Sequence, residues 1–192
     1  RFPERRADAL ALARDTEAYV KKLEGESANY ALALDGLGRA LEANDHVAEG
    51  IAYRKQSIAV YLKRLPPNHS LVLRGRRQLA YLMFKQGQYR EARDQYRTAL
   101  AAAEGNEFLR NEREEYLRGL AQSEFNLGNI DEAMRLFQEA VEESIAVYGK
   151  DNPHTFRELE AYADYALDAG RIEDATARYA AAAAGYRKRG DT

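Results

Sequence analysis

A pattern of small, bulky and aromatic residues recurs along this sequence with a period near 42 residues. Gln78-Leu79-Ala80, Gly119-Leu120-Ala121 and Ala161-Tyr162-Ala163 open three copies, and each is followed by a glycine: Gly87, Gly128 or Gly170. Beyond the glycine come a bulky residue and an alanine (Tyr89/Ala92, Ile130/Ala133, Ile172/Ala175). An aromatic follows (Tyr96, Phe137, Tyr179), and then a further alanine (Ala99, Ala140, Ala182). A fainter copy runs through Leu37, Gly38, Val47, Gly50 and Ser57. The anchoring small residues fall at 50, 92, 133 and 175, so the steps are 42, 41 and 42. A period of this length marks a supersecondary unit that cannot bury its apolar face alone and must stack on its neighbours.

Within each copy the apolar residues recur at three- and four-residue intervals, which is the spacing of amphipathic helices. The mid-copy glycine falls where one helix must end and the chain reverse, a point where left-handed backbone is common. The small pairs Ala80/Ala92, Ala121/Ala133 and Ala163/Ala175 let two helices approach closely, and the aromatic fills the wedge before the next hairpin. The spacing predicts helices over about 4–24, 27–43, 46–64, 69–86, 88–103, 107–127, 130–148, 152–169 and 171–189. The breakers Pro66-Pro67, Gly105-Asn106, Gly149 and Pro153 fall between them. The expected fold is all-α, a right-handed superhelical solenoid of antiparallel helix pairs with about nine helices. It reads as one domain over 1–192: an orphan or capping helix at 1–26, then repeats at 27–68, 69–106, 107–151 and 152–192.

The chemistry available to such a chain is narrow. It has no cysteine, which removes disulfides, thiolate metal sites and cysteine nucleophiles. His46, His69 and His154 are far apart, so no metal site is expected, and no cofactor motif or phosphate-binding glycine loop is present. His69 and Asn152 stand at equivalent connectors and read as turn and helix-start residues. His154 reads as standing alone, without a nucleophile and an orienting acid around it. No catalytic residue is assigned. The formal charge of −2 lacks the basic excess of a generic nucleic-acid binder. No apolar run approaches the roughly 18 residues of a membrane span. The reading is therefore a cytoplasmic protein with neither nucleic acid nor membrane as partner. Glu112, Glu114 and Glu115 alternate with Arg110, Arg113 and Arg118, as on a helix face laced by i,i+3 and i,i+4 ion pairs.

The order of Leu/Tyr-Ala, Gly, bulky residue, Ala, aromatic and Ala resembles the tetratricopeptide repeat. The long period and the connectors Leu65-Pro66-Pro67-Asn68-His69-Ser70 and Gly149-Lys150-Asp151-Asn152-Pro153 are similar to those of the kinesin light chain type. The resemblance covers residues 27–189 and implies a protein-binding scaffold. Two features depart from it. The paired asparagines usual before Leu-Ala are replaced by Arg77-Gln78, Arg118-Gly119 and Glu160-Ala161, and Arg54 takes the aromatic wedge position of the first copy, which is expected to be irregular. An Arg-over-Lys bias of 22 to 7, with abundant alanine, fits a bacterial source.

In this family the first helix of each pair lines the concave face. Counting from Leu-Ala places Arg74, Arg77, Gln78, Tyr81, Phe84, Lys85, Arg118, Gln122, Phe125 and Asn126 in a basic, aromatic peptide-binding groove. The same count adds Glu115 in the third copy, and the flanking positions Asp35, Arg39, Glu42, Arg157, Glu160, Asp164 and Asp168 lean acidic. A groove of that kind suits a protein or peptide carrying an acidic group beside an apolar anchor. On this reading Arg77→Glu with Arg118→Glu abolishes binding and spares folding. The expected function is a non-catalytic protein–protein interaction scaffold in a larger bacterial signalling or regulatory protein. A ligand-gated sensor of peptides or small molecules, and self-association through terminal helices, are the alternatives.

Overall fold

The computed structural model describes residues 3–106 and 109–190. Among them are nine helices and no strand. They are α1 (Pro3–Glu24), α2 (Ala28–Ala43), α3 (Val47–Leu62), α4 (Ser70–Lys85), α5 (Tyr89–Ala103), α6 (Arg110–Asn126), α7 (Ile130–Tyr148), α8 (Pro153–Asp168) and α9 (Ile172–Arg189). Where described, each predicted helix exists and ends within three residues of its expected bounds; residues 107 and 108, at the expected start of α6, lie outside the described residues.

The ends are set by local chemistry. Ser27 accepts a hydrogen bond from the Tyr30 amide at 3.0 Å and so caps α2. Asn152 does the same for α8 through the His154 amide at 2.9 Å, with Pro153 in the first turn. His69 Nδ1 accepts from the Leu71 amide at 3.2 Å, again at a helix start. Both connectors therefore act as turn chemistry. Gly87, Gly128 and Gly170 reverse the chain with φ of +72°, +84° and +75°. The first copy has no glycine there. Asp45 takes its place at φ +64°, and aspartate is one of the few residues with a side chain that visit this region.

The chain forms two compact units, residues 1–83 and 84–192. In the first, α1, α2 and α3 pack in succession. Its core holds Leu10, Tyr30, Leu34, Leu37, Leu41, Ile51, Ile58 and Tyr61. Gly38 and Gly50 allow the α2 and α3 backbones to meet: a Cβ on Gly50 would lie 2.8 Å from the Gly38 carbonyl oxygen. Ser57, where other copies have alanine, donates its buried hydroxyl to the Ala31 carbonyl at 2.6 Å. In the second unit α5 through α9 pack in sequence around Tyr116, Leu117, Phe137, Phe156 and Tyr162.

The expected wedge is visible in the second unit. The Tyr96 ring of α5 lies on Gly119 of α6, where a Cβ would come within 2.3 Å of it. Phe137 of α7 is buried and stacks on Tyr165 of α8 at 4.8 Å. Phe156 meets Gly185 in the same manner, 2.2 Å from a built Cβ. Glycine at these helical positions is a packing requirement, and its cost in helix propensity is offset by the ring it admits. Gly119→Ala is expected to lower unfolding free energy by about 1–3 kcal/mol through overpacking. Gly36→Ala, where nothing lies within 4 Å of the built Cβ, should instead gain about 0.5–1 kcal/mol. Urea denaturation of the two variants checks both signs.

Candidate functional site

Of the ten expected groove residues, Arg74, Arg77, Gln78 and Tyr81 belong to the first unit and the other six to the second. In the first unit α4 presents Arg74 and Tyr81 to solvent, Tyr81 with 57% of its surface open, while Arg77 and Gln78 are half-buried. The Gln78 side chain faces the fold, where its Oε1 accepts a 3.4 Å hydrogen bond from Arg54 Nη1.

Arg54 explains why. It occupies the slot that Tyr96 and Phe137 fill in the next two copies, and it is buried. A buried guanidinium requires counter-charge. Its Nη2 lies 3.0 Å from Glu42 and its Nη1 3.7 Å from Asp35, which in turn holds Arg39 at 3.3 Å. Two acidic positions of the expected face, Asp35 and Glu42, thus serve the core. The copy was expected to be irregular, yet α2 and α3 are regular helices, and the departure is confined to this ion network.

In the second unit the aromatic positions serve packing. Phe84 meets Tyr89 edge-on at 5.3 Å, and Phe125 meets Tyr165 edge-on at 4.9 Å. Arg118 is paired with Glu158. Gln122 is half-buried, and Asn126 is exposed but returns its amide to the Gln122 carbonyl at 2.8 Å. Lys85 is exposed. Charge reversal at Arg118 would face a carboxylate with Glu158, so the expectation that Arg118→Glu spares the fold does not hold.

Two further expectations are corrected. The Glu112–Glu115 run does not all lie on one such ion-paired face: Glu114 is buried, and Arg113 reaches across to Glu143 at 3.4 Å. The Arg110 side chain lies outside the described residues. His154 does not stand alone either. It stacks on Tyr148 at 4.7 Å, with its Nδ1 3.9 Å from Glu114. Glu114, Glu158, Arg118 and His154 therefore form one cluster between α6 and α8. Burial pushes the Glu158 carboxyl up to about 7, Arg118 opposes that rise, and Glu114 reinforces it. A third buried carboxylate, Glu124, is tied to Arg97 of α5 at 2.8 Å and to the Asn129 amide at 2.7 Å.

The repeat phase carries a signal for these buried acids. Glu114 falls in register with Ala31, Leu73 and Phe156, and Glu124 with Leu41, Met83 and Ala166, all of them core residues. Among the described residues no group of histidines and carboxylates could hold a metal ion. None of the described helices is long and apolar enough to cross a membrane.

The family model of the tetratricopeptide repeat matches residues 30–105 and 112–188. The chain is a tetratricopeptide repeat protein. Tetratricopeptide repeats generally serve as protein–protein interaction scaffolds rather than as enzymes. Among solved structures, the fold of this tetratricopeptide repeat protein is similar to the nearly identical TPR-like repeats of a kinesin light chain from Podosopora anserina. That match has TM-score 0.84 and 22% identity, and covers 97% of this chain and 90% of that one. It is also similar to BtubC (BKLC) from P. vanneervenii, with TM-score 0.79 and 14% identity over 95% of this chain and 74% of that one. Aspartyl phosphate phosphatase F from Bacillus subtilis matches with TM-score 0.70 and 16% identity, over 98% of this chain and 50% of its own. No curated protein matches the sequence significantly. At these identities the likeness is one of fold: a helical repeat similar to that of the kinesin light chain structures.

The carboxylate cluster gives a pH prediction. An unfolded glutamate titrates near its ordinary value of about 4.3, and the folded Glu158 near 7. Between those values the folded chain binds the extra proton, so stability falls as pH rises through the window. Urea midpoints should drop from about pH 5 to about pH 8. Glu158→Gln should flatten that slope; an unchanged slope in the variant assigns the titration elsewhere.

Proposed function

We propose that this chain is a non-catalytic scaffold that takes a segment of another protein on the outward faces of its first helices, as the repeat region of a larger signalling or regulatory protein. The observation that carries this reading is the α4 surface. Arg74 and Tyr81 are both solvent-exposed, and Tyr81 stands where no other copy carries an aromatic. Across the repeats the Tyr81 position reads Arg39, Tyr81, Gln122 and Asp164. Arg39 is tied to Asp35, and Asp164 accepts from the Tyr179 hydroxyl. An exposed phenol costs little conformational entropy on binding and supplies a large contact area. A guanidinium beside it can fork onto a carboxylate. The segment best suited is an acidic group next to an apolar or aromatic anchor, with Arg77 as a further contact. Arg118, Phe125 and Gln78 act chiefly by holding the helices that present these residues.

The test is a peptide-display selection against the purified chain, followed by titration of the enriched peptides by fluorescence anisotropy. Acidic peptides with one aromatic or leucine anchor should be enriched. Arg74→Glu with Tyr81→Ala should weaken their binding by tenfold or more, about 1.4 kcal/mol or greater, with the melting temperature unchanged because both side chains are exposed. Raised salt should weaken binding as well. Undiminished binding by the double variant would sink the assignment of this face.

A further inference from the structure

The repeat has a fifth wedge slot, and it is open. Counting back 41 residues from Arg54 reaches Ala13 on α1, just as Ala9 answers Gly50 and Leu10 answers Ile51. Leu10 and Ile51 are both buried, which confirms the phase. The slot that Tyr96 fills against Gly119 is therefore framed here by Ala13 and Gly36. No side chain enters it, and nothing lies within 4 Å of a Cβ built on Gly36. The result is a groove of about 660 Å³ between α1 and α2, with Ala9, Ala13, Thr16 and Val20 on one wall and Ala33 and Gly36 on the other. Beside it α1 carries a ridge of Leu12, Tyr19 and Leu23, which are 67%, 65% and 63% exposed.

We propose that this face is a homodimer interface in which α1 of two copies pair antiparallel and each copy's Tyr19 ring enters the other's Ala13/Gly36 slot. A twofold interface requires one surface to hold both knob and hole, and this one does so in register. With the axis at Thr16, Tyr19 lies three residues beyond it and Ala13 three before. Leu23 and Ala9 are each seven residues away, and Val20 and Leu12 each four. All three ridge residues thus fall opposite small or groove-lining positions. Charges of both signs meet in this register: Arg5, Arg6 and Asp8 at the start of one α1 face Lys22 and Glu24 at the end of the other, while Glu26, beyond the helix, is held by Lys63 and Lys21 lies over the Tyr30 ring at 5.7 Å. The two helix dipoles run opposed, which is favourable. The contact continues the interface that the chain builds internally, since a ring seated on a helical glycine is how α5 meets α6.

Sedimentation equilibrium and light scattering on the full chain test the proposal. The mass should rise with concentration from 21.7 kDa toward twice that value. Tyr19→Glu with Leu23→Glu should raise the dimer dissociation constant at least a hundredfold while leaving helicity intact, because both side chains are exposed. Since the chain has no cysteine, Thr16→Cys supplies a single thiol at the axis. It should form a disulfide-linked dimer on mild oxidation, whereas the exposed Ala177→Cys should not. The same Tyr19/Leu23 variant should retain peptide binding at Arg74 and Tyr81, which keeps this interface distinct from that face. A chain that stays monomeric to its solubility limit overturns the proposal, as does a dimer undiminished by the two substitutions. A monomer that seats a foreign amphipathic helix in the groove overturns it equally.

Discussion

Helices of fifteen to twenty-two residues with one apolar face are marginal in water until that face is covered. In this chain the cover depends on one recurring slot, where a side chain of one second helix enters against the following first helix. What fills the slot governs the residues around it. A tyrosine at 96 demands a glycine at 119, because no Cβ fits under the ring. An arginine at 54 demands carboxylates, and α2 supplies Asp35 and Glu42. Surface composition near each slot is thus partly a consequence of the core, and a charge on the first-helix face is not by itself evidence of a ligand.

The buried ions carry this logic further. Glu114, Glu124 and Glu158 sit in the interior of the second unit, where an ionised carboxylate is costly unless paired. Arg97 and Arg118 provide the pairing from neighbouring helices. Such pairs add little net stability over apolar residues of equal volume, but separating them strands a charge. Their effect is directional. Arg118 and Glu158 meet only when α6 and α8 are in register, and Arg97 and Glu124 impose the same demand on α5 and α6. Burial raises the Glu158 carboxyl, Arg118 opposes the rise and Glu114 reinforces it, so this carboxyl holds its proton toward neutrality.

The repeat period made the helices legible almost to the residue, because spacing, breakers and caps all point to the same boundaries. Much of the site was less legible, for a physical reason. Helical phase tells which way a side chain leaves its own helix, but not what it meets on the next. Phe84, Phe125 and Arg118 are correctly phased for an outward face and are nevertheless taken up by Tyr89, Tyr165 and Glu158. Asp45 is the backbone counterpart: the break between the second and third helices was legible, but the residue that takes positive φ there was not, although the step of 42 from Gly87 marks it. Comparing the copies column by column recovers more than any one copy offers. It flags Glu114 and Glu124 as acids in apolar columns and Ala13 as a small residue where a large one belongs.

That column comparison also separates the two kinds of surface this chain offers. Along the first helices, function can use only what the fold leaves unspent, and after the ion networks and ring contacts are assigned, Arg74 and Tyr81 stand out on α4. At α1 the situation is inverted. There the fold omits a filling it uses elsewhere and leaves three large apolar residues in water beside the vacancy. Burying each apolar side chain stabilises by about 1.5–3 kcal/mol, so leaving Leu12, Tyr19 and Leu23 exposed forgoes several kcal/mol that covering them recovers. The α4 face gains affinity from a few polar contacts and one ring, and therefore suits exchangeable ligands. The α1 face recovers apolar area over a whole helix length and suits a lasting partner. The repeat phase that builds the core thus assigns the two faces different kinds of contact.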